Sequence, residues 1–192
     1  MNQLRKPLNQ NIIDNLTDAL VDVMRYSDPS VIYPDLDKAK PDDGVVAEWF
    51  YLIYNGSNDF SELTAILMYT GQETKFEEIG ELMLGIGLTE MKHLAKIGDF
   101  IRVLGGNIEQ RYTNTGVVLG NTIKEAINVA IEAEVKTIEF YNSLSVKIQR
   151  VKPTTTTEIA LQLISKLKAD EEVHKKLLED ALGKYSDNND GA

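Results

Sequence analysis

One order of residues occurs twice along this chain, and it limits the fold more than any bulk property does. Glu62 stands seven residues before Tyr69, and beyond a turn Glu90 stands three residues before His93. Glu134 then stands seven residues before Tyr141, and beyond a second turn Glu171 stands three residues before His174. Positions three or seven apart share one face of an α-helix. The chain holds only two histidines, and both close a Glu-x-x-His. Glutamate fills roughly a twelfth of the sequence, so random placement would give this for both histidines about once in 150 trials. An internal repeat of this kind describes two similar helical hairpins in tandem.

Hydrophobic periodicity extends that reading to the whole chain. Asn11 to Tyr26 reads as an amphipathic helix, with Ile12, Ile13, Leu16, Leu20 and Met24 at helical spacing. Ser27 to Asp43 contains Pro29, Pro34 and Pro41 and reads as an extended connection. From Gly44 to Thr74 the spacing predicts one long helix, with Trp49, Ile53, Phe60, Leu63 and Leu67 as its apolar stripe and Asn55, Gly56 and Ser57 inside it. A second helix is predicted from Lys75 to Leu104, ended by Gly105 and Gly106. Residues 107–121 form a longer connection. A third helix is predicted from Thr122 to Ile148, with Thr122 and Glu125 at capping-box spacing. A fourth runs from Thr156 to Leu182, with Thr155 and Glu158 at the same spacing and Gly183 past its end. The expected organisation is an N-terminal helix and connection over 1–43, a four-helix bundle over 44–183, and a disordered polar tail over 184–192. The fold class is all-α: two hairpins joined by one long crossover, plus an extra N-terminal helix that covers the core or mediates dimerisation.

Composition narrows the chemistry. The chain has 192 residues, a formal net charge of −10 and no cysteine. Thiolate metal sites, iron–sulfur clusters and disulfides are excluded, so any metal must take oxygen and nitrogen ligands. The acidic balance argues against nucleic acid and anionic membranes as partners. Neither a signal peptide nor an apolar membrane span is visible, and the expected location is the cytoplasm.

Helix rise places the repeated residues at matching heights. At 1.5 Å per residue, Glu62 and Glu90 lie about 20 and 22 Å from the first turn, and Glu134 and Glu171 about 26 and 29 Å from the second. Each pair of helices therefore brings its acidic groups to one level. Glu62 sits among Leu63, Ile66 and Leu67, and Glu134 among Ile131, Val135 and Ile138. Buried carboxylates must be paired, protonated or metal-bound. Two divalent cations would neutralise four inward carboxylates.

One Glu from each of two helices, with Glu-x-x-His from each of the other two, resembles the dimetal-carboxylate motif of ferritin-like proteins. The chain is similar to the rubrerythrin, bacterioferritin and manganese-catalase branch over roughly 44–182, most closely over 62–104. The resemblance implies a ferritin-like four-helix bundle holding two ions, iron or manganese. It implies Glu62 and Glu134 as terminal ligands, Glu90 and Glu171 as bridges, and His93 and His174 each capping one ion. In a manganese-catalase-like site Glu171 could instead be an outer base. Tyr69 and Tyr141 would hydrogen-bond ligand carboxylates, or be plain core tyrosines. The sequence departs from rubrerythrins in having Ile131 and Thr137 where a further glutamate would stand, and in lacking a cysteine-rich electron relay.

The expected function is a dimetal oxidoreductase using hydrogen peroxide or dioxygen, catalase- or peroxidase-like, with an external electron donor where one is needed and a homodimeric assembly. The alternatives are an iron-binding ferroxidase of the storage type, oxygenase chemistry on an organic substrate, and a metal-free helical interaction protein.

Overall fold

The computed structural model describes residues 24–41, 44–56, 58, 60–108 and 117–186. Among these, every regular element is helical: α1 (Glu48–Asn55), α2 (Glu62–Lys75), α3 (Gly80–Val103), α4 (Ile123–Gln149) and α5 (Thr155–Ser186), with short 3-10 turns at Leu36–Lys38 and Glu77–Ile79. Helices α2 and α3 pack as one antiparallel hairpin and α4 and α5 as the other, with α2 also touching α4. The helix expected over Asn11–Tyr26 lies almost wholly outside the described residues, as does the tail beyond Ser186.

The single helix expected over Gly44–Thr74 is two helices. Asn58 donates its side-chain amide to the Leu52 carbonyl at 3.0 Å, and its Oδ1 accepts from the Phe60 N–H at 3.0 Å. Ser61 then caps α2, its Oγ accepting from the Thr64 N–H at 3.3 Å and donating to the Gly56 carbonyl at 3.0 Å. Short polar side chains thus take over backbone groups that a continuous helix would pair. Gly56 fits the break because a Cβ there would stand 2.5 Å from the Leu52 carbonyl oxygen. The break also resets the helical face. Met68, Tyr69 and Gln72 point inward with Glu62, whereas Leu67, expected in the core, is exposed.

The other ends follow capping chemistry. Gly105 adopts a positive φ of 79°, and Gly106 N–H returns to the Ile101 carbonyl at 2.9 Å, closing α3 as expected. Thr122 Oγ1 accepts from Glu125 N–H at 3.1 Å, while Glu125 reaches back to Asn121 N–H at 2.8 Å. At α5 the reciprocal pair is Thr154 and Thr157, at 3.2 and 2.7 Å, not the expected Thr155 and Glu158. Helix α5 also runs through Gly183 to Ser186. A mid-helix glycine costs about 1 kcal/mol, and here Tyr185 packs on the core and donates to the Glu78 carbonyl.

The core has two apolar halves. One gathers Phe50, Ile53, Phe100, Ile101, Leu144, Ile148, Leu163 and Leu167. The other gathers Met68, Met83, Ile86, Ile127, Ala130 and Leu178. Between the halves lie Glu90, His93, Glu134, Glu171 and His174 within α3, α4 and α5, and Glu62 at the start of α2, all buried. Residues 26–40 pack against α3 and α5 as a strap. Tyr26 is buried, the turn at Leu36–Lys38 contacts both helices, and Lys40 N–H donates to Thr156 Oγ1 at 2.8 Å. No helix among the described residues is long and apolar enough to cross a membrane.

Candidate metal centre

All six side chains singled out in the sequence meet at one level of the bundle. Two sets of ligand-capable atoms form, each within 4.8 Å: Glu62, Glu90, His93 and Glu171, and Glu90, Glu134, Glu171 and His174. Glu90 and Glu171 belong to both sets. Helical spacing brings each histidine back over its own glutamate, with His93 Nδ1 3.1 Å from Glu90 Oε2 and His174 Nδ1 2.9 Å from Glu171 Oε2. Hairpin pairing then adds the remainder. His93 Nδ1 lies 3.5 Å from Glu62 and 3.3 Å from Glu171, and His174 Nδ1 lies 2.9 Å from Glu90 and 3.7 Å from Glu134.

The tyrosines cross between hairpins. Tyr69 of α2 donates to Glu134 Oε1 of α4, and Tyr141 of α4 donates to Glu62 Oε1 of α2. Each phenol thus orients a glutamate of the opposite hairpin and occupies one of its oxygens.

Asp170 was not among the residues singled out. It is fully buried, and its Oδ2 stands 3.1 Å from His93 Nε2. Its Oδ1 accepts from Ser27 Oγ at 2.9 Å, Asp28 N–H at 2.6 Å and Lys166 Nζ at 2.8 Å. Burial pushes its carboxyl up, but His93, Lys166 and the Asp28 N–H outweigh that and hold it down at about 2. Behind the other ring, His174 Nε2 lies 2.9 Å from the main-chain oxygen of Tyr26. The sequence did carry signals for Asp170 and Lys166: an acid directly before Glu171, and a lysine four residues before that acid. The Tyr26 carbonyl leaves no trace in a side-chain pattern.

The donor set fits a cation. Oε1 of Glu90 and Oε1 of Glu171 are buried and make no hydrogen bond, even though imidazole nitrogens stand close by. Carboxylate oxygens left without a hydrogen bond in a dry interior are costly. Four carboxylates and two imidazoles are hard and borderline donors suited to iron or manganese. Without a metal, burial and the neighbouring Glu90 charge push Glu62 well up, and burial and Glu171 do the same for Glu134. Burial opposes ionisation of Glu90 as well, but the His174 and His93 imidazoliums outweigh it and hold Glu90 low.

A small cavity lies over the cluster between α2 and α4. It measures about 10 Å³ and meets Glu62, Glu90, Glu134 and Glu171 on one side, with Phe60, Ala65, Met68, Ala133 and Thr137 around it.

A helical bundle built around a buried carboxylate–histidine layer shared by two hairpins is the architecture of the ferritin-like class. The sequence model of the family described as ferritin-like domain matches residues 61–187, more than half of the chain. The chain belongs to that family. No curated protein matches it in sequence.

Proposed function

We propose that this chain is a dimetal-carboxylate oxidoreductase that binds two iron or manganese ions and acts on hydrogen peroxide or dioxygen. The observation that carries the reading is the sharing of Glu90 and Glu171 between two ligand sets, each completed by its own glutamate and histidine. Glu62 and His93 would hold one ion, Glu134 and His174 the other, and Glu90 and Glu171 would lie between them. Two redox-active ions held by these residues would together supply a two-electron couple for a small oxidant.

The protein's own groups supply the surroundings. Tyr69 and Tyr141 restrain the two terminal carboxylates, so each keeps one oxygen directed at the centre. The two core halves exclude water from above and below. The cavity lined by Ala65, Ala133 and Thr137 is about 10 Å³, roughly the minimum that accepts one water-sized molecule. That size favours peroxide or dioxygen over an organic substrate. The Thr137 hydroxyl is directed to the Ala133 carbonyl at 3.0 Å, which leaves no acid–base group of this helix facing the cavity beyond Glu134.

Elemental analysis of protein purified without added metal, with a peroxide-decomposition assay on the same sample, tests the reading. About two iron or manganese ions per chain and oxygen release or peroxide reduction are expected. Absence of both metals after reconstitution would refute it. The family also accommodates storage-type ferroxidases. Size-exclusion chromatography separates the readings, because storage needs a large cage and the proposed enzyme does not.

A further inference from the structure

Within the cluster the two halves match closely. Each imidazole offers Nδ1 to one terminal and both shared glutamates, and each terminal glutamate accepts from one tyrosine. The match fails behind the rings. His93 Nε2 faces a carboxylate oxygen of Asp170 at 3.1 Å, whereas His174 Nε2 faces the neutral main-chain oxygen of Tyr26 at 2.9 Å.

The cause lies in two positions where the repeat is broken. The residue before Glu171 is Asp170, but the residue before Glu90 is Thr89, whose hydroxyl donates to the Gly85 carbonyl at 3.3 Å. One turn earlier, α5 carries Lys166, which anchors Asp170 at 2.8 Å, and α3 carries Gly85. The ring of Tyr26 fills the space that Gly85 leaves, since a Cβ there would stand 2.1 Å from a ring carbon. Seating that ring brings the Tyr26 carbonyl to His174.

We infer that the two metal positions are unequal, the one beside Glu62 and His93 binding its ion more tightly than the one beside Glu134 and His174. The inference rests on the dimetal reading above. An imidazole whose outer N–H donates to a carboxylate is a stronger donor at its other nitrogen than one donating to a neutral carbonyl, because the charged acceptor draws the proton and returns electron density to the ring. Lys166 lowers the net charge of its pair with Asp170. It does so on Oδ1, together with Ser27 and Asp28, while Oδ2 faces the ring at 3.1 Å and accepts only a longer contact from the Tyr33 hydroxyl at 3.5 Å.

Repulsion between ions would give two binding steps even in equal sites, so the decisive readout is which side fills. Crystals of the full chain given one equivalent of Mn(II) should show anomalous density on the Glu62–His93 side. In titrations of metal-free protein with Co(II), followed by visible absorption, Asp170→Asn should weaken the tighter step about 10–100-fold and leave the weaker one unchanged. Gly85→Ala, which displaces Tyr26 while favouring the helix, should weaken the second step more than the first. Density on the Glu134–His174 side, equal filling of both, or equal weakening of both steps by Asp170→Asn would overturn the inference while leaving the dimetal reading intact. Failure of either ion to bind would overturn both.

Discussion

Four glutamates and two histidines sealed in one layer must share protons whenever no metal is bound. Burial alone would lower the histidines, but Glu171 and Glu90 outweigh it at His93, and Glu90 and Glu171 do so at His174, so both are raised well above 6.5. A histidine raised on folding contributes stability that is complete below about 6.5 and is lost as pH rises through its folded value. Glu62 and Glu134, raised above 4.5, act in the same direction. Metal-free protein should therefore lose stability as pH rises above about 6.5, by roughly 1.4 kcal/mol per pH unit for each extra proton held, measured by urea unfolding. Metal loading must expel those protons. Calorimetry in two buffers of different ionisation enthalpy should show net proton release at pH 7, and proton uptake would contradict the arrangement. Tyr69→Phe removes the hydroxyl on Glu134 but keeps the ring. Both ions should still load, with affinity or turnover reduced about 10–100-fold; loss of helical circular dichroism would instead mark Tyr69 as a core residue only.

The break between α1 and α2 is the element that most affects the site. It makes Glu62 the first residue of a helix, next to the cap Ser61 and at the positive end of the helix dipole, which favours a carboxylate. Ser61→Ala should cost about 1 kcal/mol in unfolding experiments. It should also weaken the ion beside Glu62 more than the ion beside Glu134, because only the former depends on this helix start. Equal effects on both would show that the cap serves stability alone. The strap over residues 26–40 is a second functional element. It supplies the Tyr26 carbonyl to one histidine and holds the acid behind the other through Ser27 and Asp28.

For the molecule as a whole, the polar layer divides the core, and a metal pair would join its halves. At free metal 100-fold above the dissociation constant, binding adds about 2.7 kcal/mol, so chelation should lower Tm by roughly 5–10 °C. An unchanged Tm would mean that the layer is held by protons rather than metals. On the outside, Leu84, Leu88 and Met91 are 51%, 38% and 47% exposed at one-face spacing along α3. If the chain pairs with a second copy there, sedimentation should show a dimer that Met91→Glu converts to monomer; a wild-type monomer would leave the stripe without that role.

The helical class, the two hairpins and the identity of the six convergent side chains were all legible in the order of residues. They could be read there because helical spacing and antiparallel return are local rules that the repeated Glu…Tyr…Glu-x-x-His order obeys. The Thr122–Glu125 cap and the glycine end of α3 were legible for the same reason. The break at 56–61, the reciprocal Thr154–Thr157 cap and the run of α5 past Gly183 were not, because short polar side chains and one late packing contact outweighed periodicity. What stands behind each imidazole depends on how distant segments pack. Asp170 reaches His93 across 77 residues of chain and the Tyr26 carbonyl reaches His174 across 148. No local pattern encodes a contact made by a backbone oxygen from so far away; it exists only once the strap has packed against Gly85.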